Sequence, residues 1–437
     1  MSFSLQRLRL SAIAVIGLSL LFGLVKADAV GMVASAAFDD ANRTFTSDSR
    51  VRQALADLAA RTDAITEEQV RITEIPAPPF HESVRGAYIA KLLSGAGLAV
   101  YVDDLGNVIG ERAGTSDDIV MIVAHLDTVF RPDVDVHVRR DAGRIYAPGI
   151  SDNGTGLASM VAIARVMRDA GLSTGATVLF VADVGEEGEG NLRGIRRVVE
   201  TYRSRLRNVI VLDGSSTDFV ATAALPSRLY EITVTGPGGH SWSDFGAPNP
   251  IHAMARAIAR FVNTSVPQNP RTSFNIGEIE GGTSINSIPE KALMRVDLRS
   301  ESEQELGKLA ETLQAAVNAG VEEEMAWAQG RGMLEGRTLS TNTKMLGARP
   351  GGELAEDSPV LAALRSADVY VGNRSRAISS STDANIPLSL GIPAIALGAG
   401  GRSAGEHSLG EWYDPAGRER GLQRILLTLL QLAGLRD

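Results

Sequence analysis

The sequence predicts an α/β protein with a mostly parallel central sheet, interrupted by a smaller inserted α+β module. Three observations carry that expectation. Four apolar runs, Ile119 to Ala124, Val178 to Val181, Val209 to Leu212 and Ile392 to Leu397, are continuous rather than alternating, as strands buried on both faces are. Between the first two lies Gly154 to Gly171, where Leu157, Val161 and Ala164 share a helical face and Gly171 suits the stop. Strand, helix, strand is the grammar of a parallel sheet covered by helices. Finally, the texture changes near Leu225: YEITVTG, a helical stretch near Pro250 to Asn263, FNIGEIEG, ALMRVDLRS and SEQELGKLAETLQAAVNAG read as strand, helix, strand, strand, helix, an order that suits a small module with an open sheet.

These shifts set the boundaries: a leader at 1–29, a first part of the main domain at 48–224, the inserted module at 225–341 and a second part of the main domain at 342–437. In the leader, Arg7 and Arg9 precede an apolar run from Leu10 to Val25, with small residues at Ala27 and Ala29. That is the layout of a secretory signal peptide. The run is only slightly shorter than the ~17 residues that begin to span a bilayer, so an uncleaved N-terminal anchor is the competing reading. A periplasmic or secreted body is expected, membrane-anchored if the leader is kept. With no cysteine in the chain, disulfides do not hold that body together.

A chain of 437 residues with 44% hydrophobic residues supports a sizeable core. Lys and Arg number 43 against 52 Asp and Glu, a net charge of −9, and no long basic run follows the leader. Nucleic acid is therefore not an expected partner.

The chemistry gathers at the carboxyl ends of the expected strands, where loops of an open α/β sheet converge residues distant in sequence. MIVAHLDTV ends a strand with His125 and Asp127, GISDNGTG puts Asp152 before a helix, VADVGEEGEG supplies Glu186 and Glu187, VLDGSS supplies Asp213, and GAGGRSAGEHS brings His407. Taken singly, each has an ordinary reading: a hydrogen-bonded histidine, an N-cap, a turn residue, a solvated acidic loop. Together they form a nitrogen and oxygen set suited to zinc, cobalt or manganese, and too rich for one tetrahedral ion. A dication also accounts for the crowding of carboxylates in VADVGEEGEG, since it lowers the cost of gathering them and keeps them ionised. Adjacent glutamates can then divide the labour, one holding metal and its neighbour free as a base. Asp127, two residues beyond His125, lies on the same side of an extended strand and can orient the imidazole. Of the other histidines, His81, His137 and His252 fit ordinary surroundings.

The motifs HLDTV, SDNGTG, GEEGEGNLRG, VLDGS, GPGGHSW, INSIPEKALMRVDLRS and STDANIPLSLGIPAIALGAGG with EHSLGEWYD resemble, in order and spacing, the dizinc metallohydrolases that include carboxypeptidase G, aminoacylase and tripeptide aminopeptidase. The resemblance runs from about residue 60 to the C-terminus. It implies a zinc-peptidase-like catalytic domain whose inserted module is a lid that forms the interface of a homodimer. It further implies that His125 and Asp213 hold one Zn2+, that Glu187 and His407 hold the other, that Asp152 bridges them, and that Glu186 is the general base. His240 of GPGGHSW would reach into the partner's site and stabilise the oxyanion. Arg349 in GARPGG, Asn286 in INSIP and Gly400 in the run Gly398 to Gly401 match substrate-contacting positions. Asp213, where the carboxypeptidase G and aminoacylase branches favour Glu, tilts the expectation toward the tripeptide aminopeptidase-like branch.

The expected function is cleavage of an amide bond in small peptides by an exopeptidase with two Zn2+ per chain, Co2+ or Mn2+ being possible substitutes. An N-acyl amino acid deacylase is the nearest alternative. A non-catalytic peptide-binding relic is the reading from a different class, and it should have lost a ligand or the base; none is missing here.

Overall fold

The computed structural model describes Arg43 and residues 45–436; the leader at 1–29 lies outside them. Among the described residues the central sheet has nine strands. Its middle is parallel, with Ala176–Asp183, Ser116–His125, Leu206–Leu212 and Ala394–Leu397 side by side in that order. These strands carry the four apolar runs, and Val120, Ile122, Val178, Phe180, Val209 and Val211 are fully buried. At roughly 1.5–3 kcal/mol for each large apolar side chain taken from water, this block anchors the domain.

The flanks differ from the expected mostly parallel sheet, which is mixed. Ala99–Val102 pairs antiparallel with Val108–Arg112, and that strand pairs antiparallel with Ala176–Asp183. On the other side Phe219–Ala224 runs antiparallel to Ala394–Leu397, with Arg376–Ser380 parallel to it. For the first of these pairs the reason is connection length. Ala99–Val102 and Val108–Arg112 are joined by five residues in which Asp103 Oδ1 accepts the N–H groups of Leu105, Gly106 and Asn107, and so short a loop permits only antiparallel pairing. Ala99–Val102 is apolar throughout, AVYV, but mostly exposed, as an edge strand can be.

The inserted module is a four-stranded antiparallel sheet in the order Thr272–Gly281, Lys291–Ser300, Ser227–Thr235, Ser340–Arg349. Ile232 and Val234 on one strand, and Met294, Val296 and Leu298 on the next, point to one face. Helices Pro250–Phe261 and Glu303–Gln329 cover that face. The two helices touch closely at Gly320, where a Cβ would lie 2.7 Å from Ala253 O. The fourth strand was not expected: the sequence boundary at 341 falls inside it, because STNTKMLGAR is mostly exposed edge strand. That strand brings Arg349 from the module into the main domain. Asn191 Oδ1 accepts Ala348 N at 3.1 Å, and Arg196 Nη2 donates to Ala348 O at 2.6 Å, fixing where Arg349 arrives. Among the described residues no helix is long and apolar enough to cross a membrane.

Candidate active site

His125 ends its strand fully buried, and its neighbour in the ladder is Asp183, the end of the adjacent strand. Beyond it, buried Arg85 donates to Leu126 O at 2.8 Å and to Ile75 O at 2.9 Å, tying the strand end to the Pro-rich turn. Asp152 precedes helix Gly154–Asp169, whose cap Asn153 accepts from Gly156 N and donates to Leu212 O at 2.7 Å. That bond joins the Asp152 loop to the strand end before Asp213. His407 stands on the loop after Ala394–Leu397 with φ 64°, a conformation uncommon for a residue with a Cβ.

These loops put Asp152 between the two imidazoles. Its Oδ1 lies 3.0 Å from His125 Nε2 and its Oδ2 lies 3.1 Å from His407 Nε2. Glu187 Oε1 is 3.2 Å from the same His407 nitrogen. Asp152 Oδ1 makes no hydrogen bond despite the short approach, so it and His125 Nε2 converge on a common point. Two ligands bound to one tetrahedral ion at ~2.0–2.2 Å stand roughly 3.3 Å apart, and the observed spacings fit. His125, Asp152 and Glu187 together form a group able to hold a metal ion.

The electrostatics ask for the same thing. Burial pushes the Glu187 carboxyl up to about 8, with the charge of Asp152 adding to it. Burial likewise takes Asp213 up to about 7, again helped by Asp152. Hydrogen bonds to Asp152 and then Glu187 drive His407 up to about 11. The crowded carboxyl groups favour a positive charge among them, which a divalent ion would supply.

Asp127 has a different part from the one expected. The His125 Nδ1 partner is the Asp127 backbone carbonyl at 3.1 Å, whereas the carboxylate Oδ1 is 3.7 Å away. The carboxylate instead accepts Glu186 N at 3.0 Å and Glu187 N at 2.9 Å. It therefore holds the two glutamates in place, and the carbonyl fixes the tautomer that leaves His125 Nε2 free to ligate. Arg349 also differs: its Nη1 donates to Glu186 Oε1 at 2.7 Å and to Ser381 Oγ at 3.0 Å, and its Nη2 to the Glu186 carbonyl. Its nearest carboxylate is the expected base.

A cavity of about 790 Å³ opens over these groups, with His125, Asp152, Glu186, Glu187, Asp213 and His407 in its wall. Arg349 lines it too. So does Arg299 of the lid strand, together with the hydroxyl run Ser379 to Thr382; neither was singled out, although DLRS and STDANIP were in view. Gly400 does not line the cavity, where Gly398 stands instead. With φ 96° and a Cβ position 2.5 Å from Arg418 O, Gly400 is required by close backbone packing. His240 and Asn286 are also absent from the wall. They sit together on the lid, where Gly239–His240 pairs with Ser287–Ile288 and Ser241 N donates to Asn286 O. Glu411, fully buried, was missed altogether: its carboxylate accepts the N–H groups of Gly149, Ser151 and Asp152.

Residues 107–225 match the peptidase family M28, and residues 227–325 match the peptidase dimerisation domain. Among curated proteins, a succinyl-diaminopimelate desuccinylase of Psychrobacter arcticus is 29% identical over 217 residues, 44% of this chain and 51% of that protein. The chain thus spans about half the length of the desuccinylases it matches first. Bacillus subtilis YqjE is 23% identical over 77% of this chain and 90% of its own. The fold is similar to that of the aminopeptidase PepT from Bacillus cereus, with TM-score 0.64, 21% identity, and coverage of 85% of this chain and 99% of that one. It is also similar to the di-peptidase Dug1p from Saccharomyces cerevisiae, with TM-score 0.71, 13% identity, and coverage of 88% and 98%. The match to peptidase family M28 ends two residues before the match to the peptidase dimerisation domain begins, and both lie on a fold whose mixed central sheet gathers a His/Asp/Glu cluster able to hold metal at its strand ends; in these respects the chain is similar to the M20/M28 zinc peptidases.

Proposed function

We propose that the protein is a dinuclear zinc hydrolase that cleaves an amide bond in a small peptide, acting as an exopeptidase. The observation that carries this reading is Asp152, with one oxygen turned to His125 and the other to His407, beside the buried Glu186. His125 and Asp213 would hold one ion, Glu187 and His407 the other, with Asp152 common to both; Co2+ or Mn2+ could replace zinc. When bound, such ions polarise the amide carbonyl and make water a stronger acid.

The chain's own residues do the rest. Glu186 takes a proton from the attacking water and returns it to the leaving amine. Asp127 keeps Glu186 and Glu187 at fixed spacing through their backbone N–H groups. Arg349 and Arg299 offer guanidinium groups to a substrate carboxylate, a pairing guanidinium favours. His240 would act on the other protomer of a homodimer built through the lid. Its Nδ1 accepts Trp242 N at 3.1 Å and Ser243 N at 3.3 Å. That leaves Nε2–H, without a partner among the described residues, as a donor for an oxyanion.

Deacylation of an N-acyl amino acid is the second reading. The desuccinylase relatives and the two arginines in the cavity wall favour it. The deciding experiment assays the purified protein, loaded with zinc, cobalt or manganese, against di- and tripeptides and N-acyl amino acids. Peptide turnover supports the first reading, acyl turnover alone the second, and no turnover of either class with any metal overturns both.

A further inference from the structure

Glu411 ties together two loops that are far apart in sequence. Its Oε2 accepts Gly149 N at 2.7 Å, and its Oε1 accepts Ser151 N at 2.7 Å and Asp152 N at 3.0 Å. The side chain is fully buried, where such bonds are electrostatically stronger than in water. On the other side, Glu411 N donates to Ser408 O at 3.2 Å, closing the turn that follows His407, and Glu411 O accepts Ala147 N at 3.2 Å. One residue thus fixes both the loop that ends in Asp152 and the turn that begins at His407. The Asp152 Oδ2 to His407 Nε2 distance of 3.1 Å is set across it.

We infer that Glu411 is a positioning residue that sets the spacing between the bridging carboxylate and His407, and so governs uptake of the second metal ion rather than the first. The inference rests on the dinuclear reading above. The first site needs no such brace: His125 is buried at the end of a central strand and fixed by the Asp127 carbonyl. The second depends on His407, whose side chain is 55% exposed and whose backbone is held at φ 64°, on the loop after the strand Ala394–Leu397. Charged acceptors of backbone N–H groups form strong hydrogen bonds, and removing a group that orients metal ligands typically costs 10–100-fold in affinity.

Titration of metal-free protein with Co2+, followed by its visible absorption and checked by elemental analysis, separates the outcomes. Glu411→Gln keeps the size but sets an NH2 group against a backbone N–H; Glu411→Asp keeps the charge but falls one methylene short. The wild type is expected to take up two ions. Both variants should bind the first ion with wild-type affinity and the second about 10–100-fold more weakly, with an altered two-ion spectrum. If both ions weaken equally in Glu411→Gln while Glu411→Asp is unaffected, Glu411 acts only through its charge and the inference fails. It also fails if a variant is merely less heat-stable, with both affinities and the spectrum unchanged. A wild type that takes up only one ion overturns the dinuclear reading and this inference with it.

Discussion

Glu186 and Glu187 are adjacent, both nearly buried, and both held by Asp127, yet they face different partners. Glu187 Oε1 meets His407 Nε2, while Glu186 Oε1 meets Arg349. This division, which the residue types suggest and the family resemblance assigns, yields a test. Glu186→Gln should bind metal as the wild type does while turnover falls by ~10² to 10⁴, the scale of general-base catalysis; Glu187→Gln should release metal to a chelator more readily. Loss of metal in the first variant with full activity in the second would reverse the roles. Arg349 gives a second test, because it must exchange Glu186 for a substrate carboxylate. Arg349→Ala should raise KM by ~10- to 100-fold for substrates with a free carboxylate, a charge-assisted pair being worth about 1.5–3 kcal/mol. The same substrates as amides should show little change in KM. Residues such as His125 and Asp213 could be picked out because polar residues end several successive apolar runs, a gathering that their separate ordinary readings do not explain. Glu411 was not: its partners lie about 260 residues away and are backbone N–H groups, which leave no pattern in side-chain chemistry.

At the scale of elements, the buried parallel strands could be read from apolar continuity alone, while the mixed flanks and the strand Ser340–Arg349 could not. The edge strand Ser340–Arg349, STNTKMLGAR, is mostly exposed and polar and so shares the composition of a loop; only its partner defines it. The glycine run after Ala394–Leu397 shows the same limit. The sequence offered Gly400 as a substrate contact, whereas packing demands it: at φ 96° its Cβ would meet Arg418 O at 2.5 Å. Gly400→Ala should therefore lower stability by ~2–5 kcal/mol, strain and overpacking combined. Gly336→Ala, at φ 67° with nothing within 4 Å of the added Cβ, should cost only ~1–2 kcal/mol. Urea midpoints of the two variants check the order. Equal losses would mean that backbone conformation alone, and not contact with helix Arg418–Ala433, sets the requirement.

On the scale of the whole molecule, the inserted module holds outward a histidine that the proposed function assigns to the site. The candidate metal cluster, Glu186 and two guanidinium groups share one cavity. His240 does not, and it sits beside exposed Trp242 and near Ile285, 86% and 105% accessible, on a module that matches a peptidase dimerisation domain. Large apolar side chains left this open on a lid are suited to burial against a partner. If His240 serves the other protomer, His240→Ala should stay folded, dimeric and metal-loaded while turnover falls by ~10² to 10³, the usual cost of one oxyanion donor. Asp152→Ala should be inactive for a different reason, the loss of the bridging carboxylate. Mixed under conditions that exchange subunits, the two dead variants form hybrids in which one site has intact ligands from the His240→Ala chain and His240 from the Asp152→Ala chain. With random exchange of equal amounts, about half of the dimers are hybrids, each with one complete site, so activity should recover to about a quarter of the wild-type level per site. Exchange without recovery, shown by differently tagged chains co-purifying, would place His240 in service of its own chain or of none. A monomer in solution by light scattering would remove the basis for action across chains altogether.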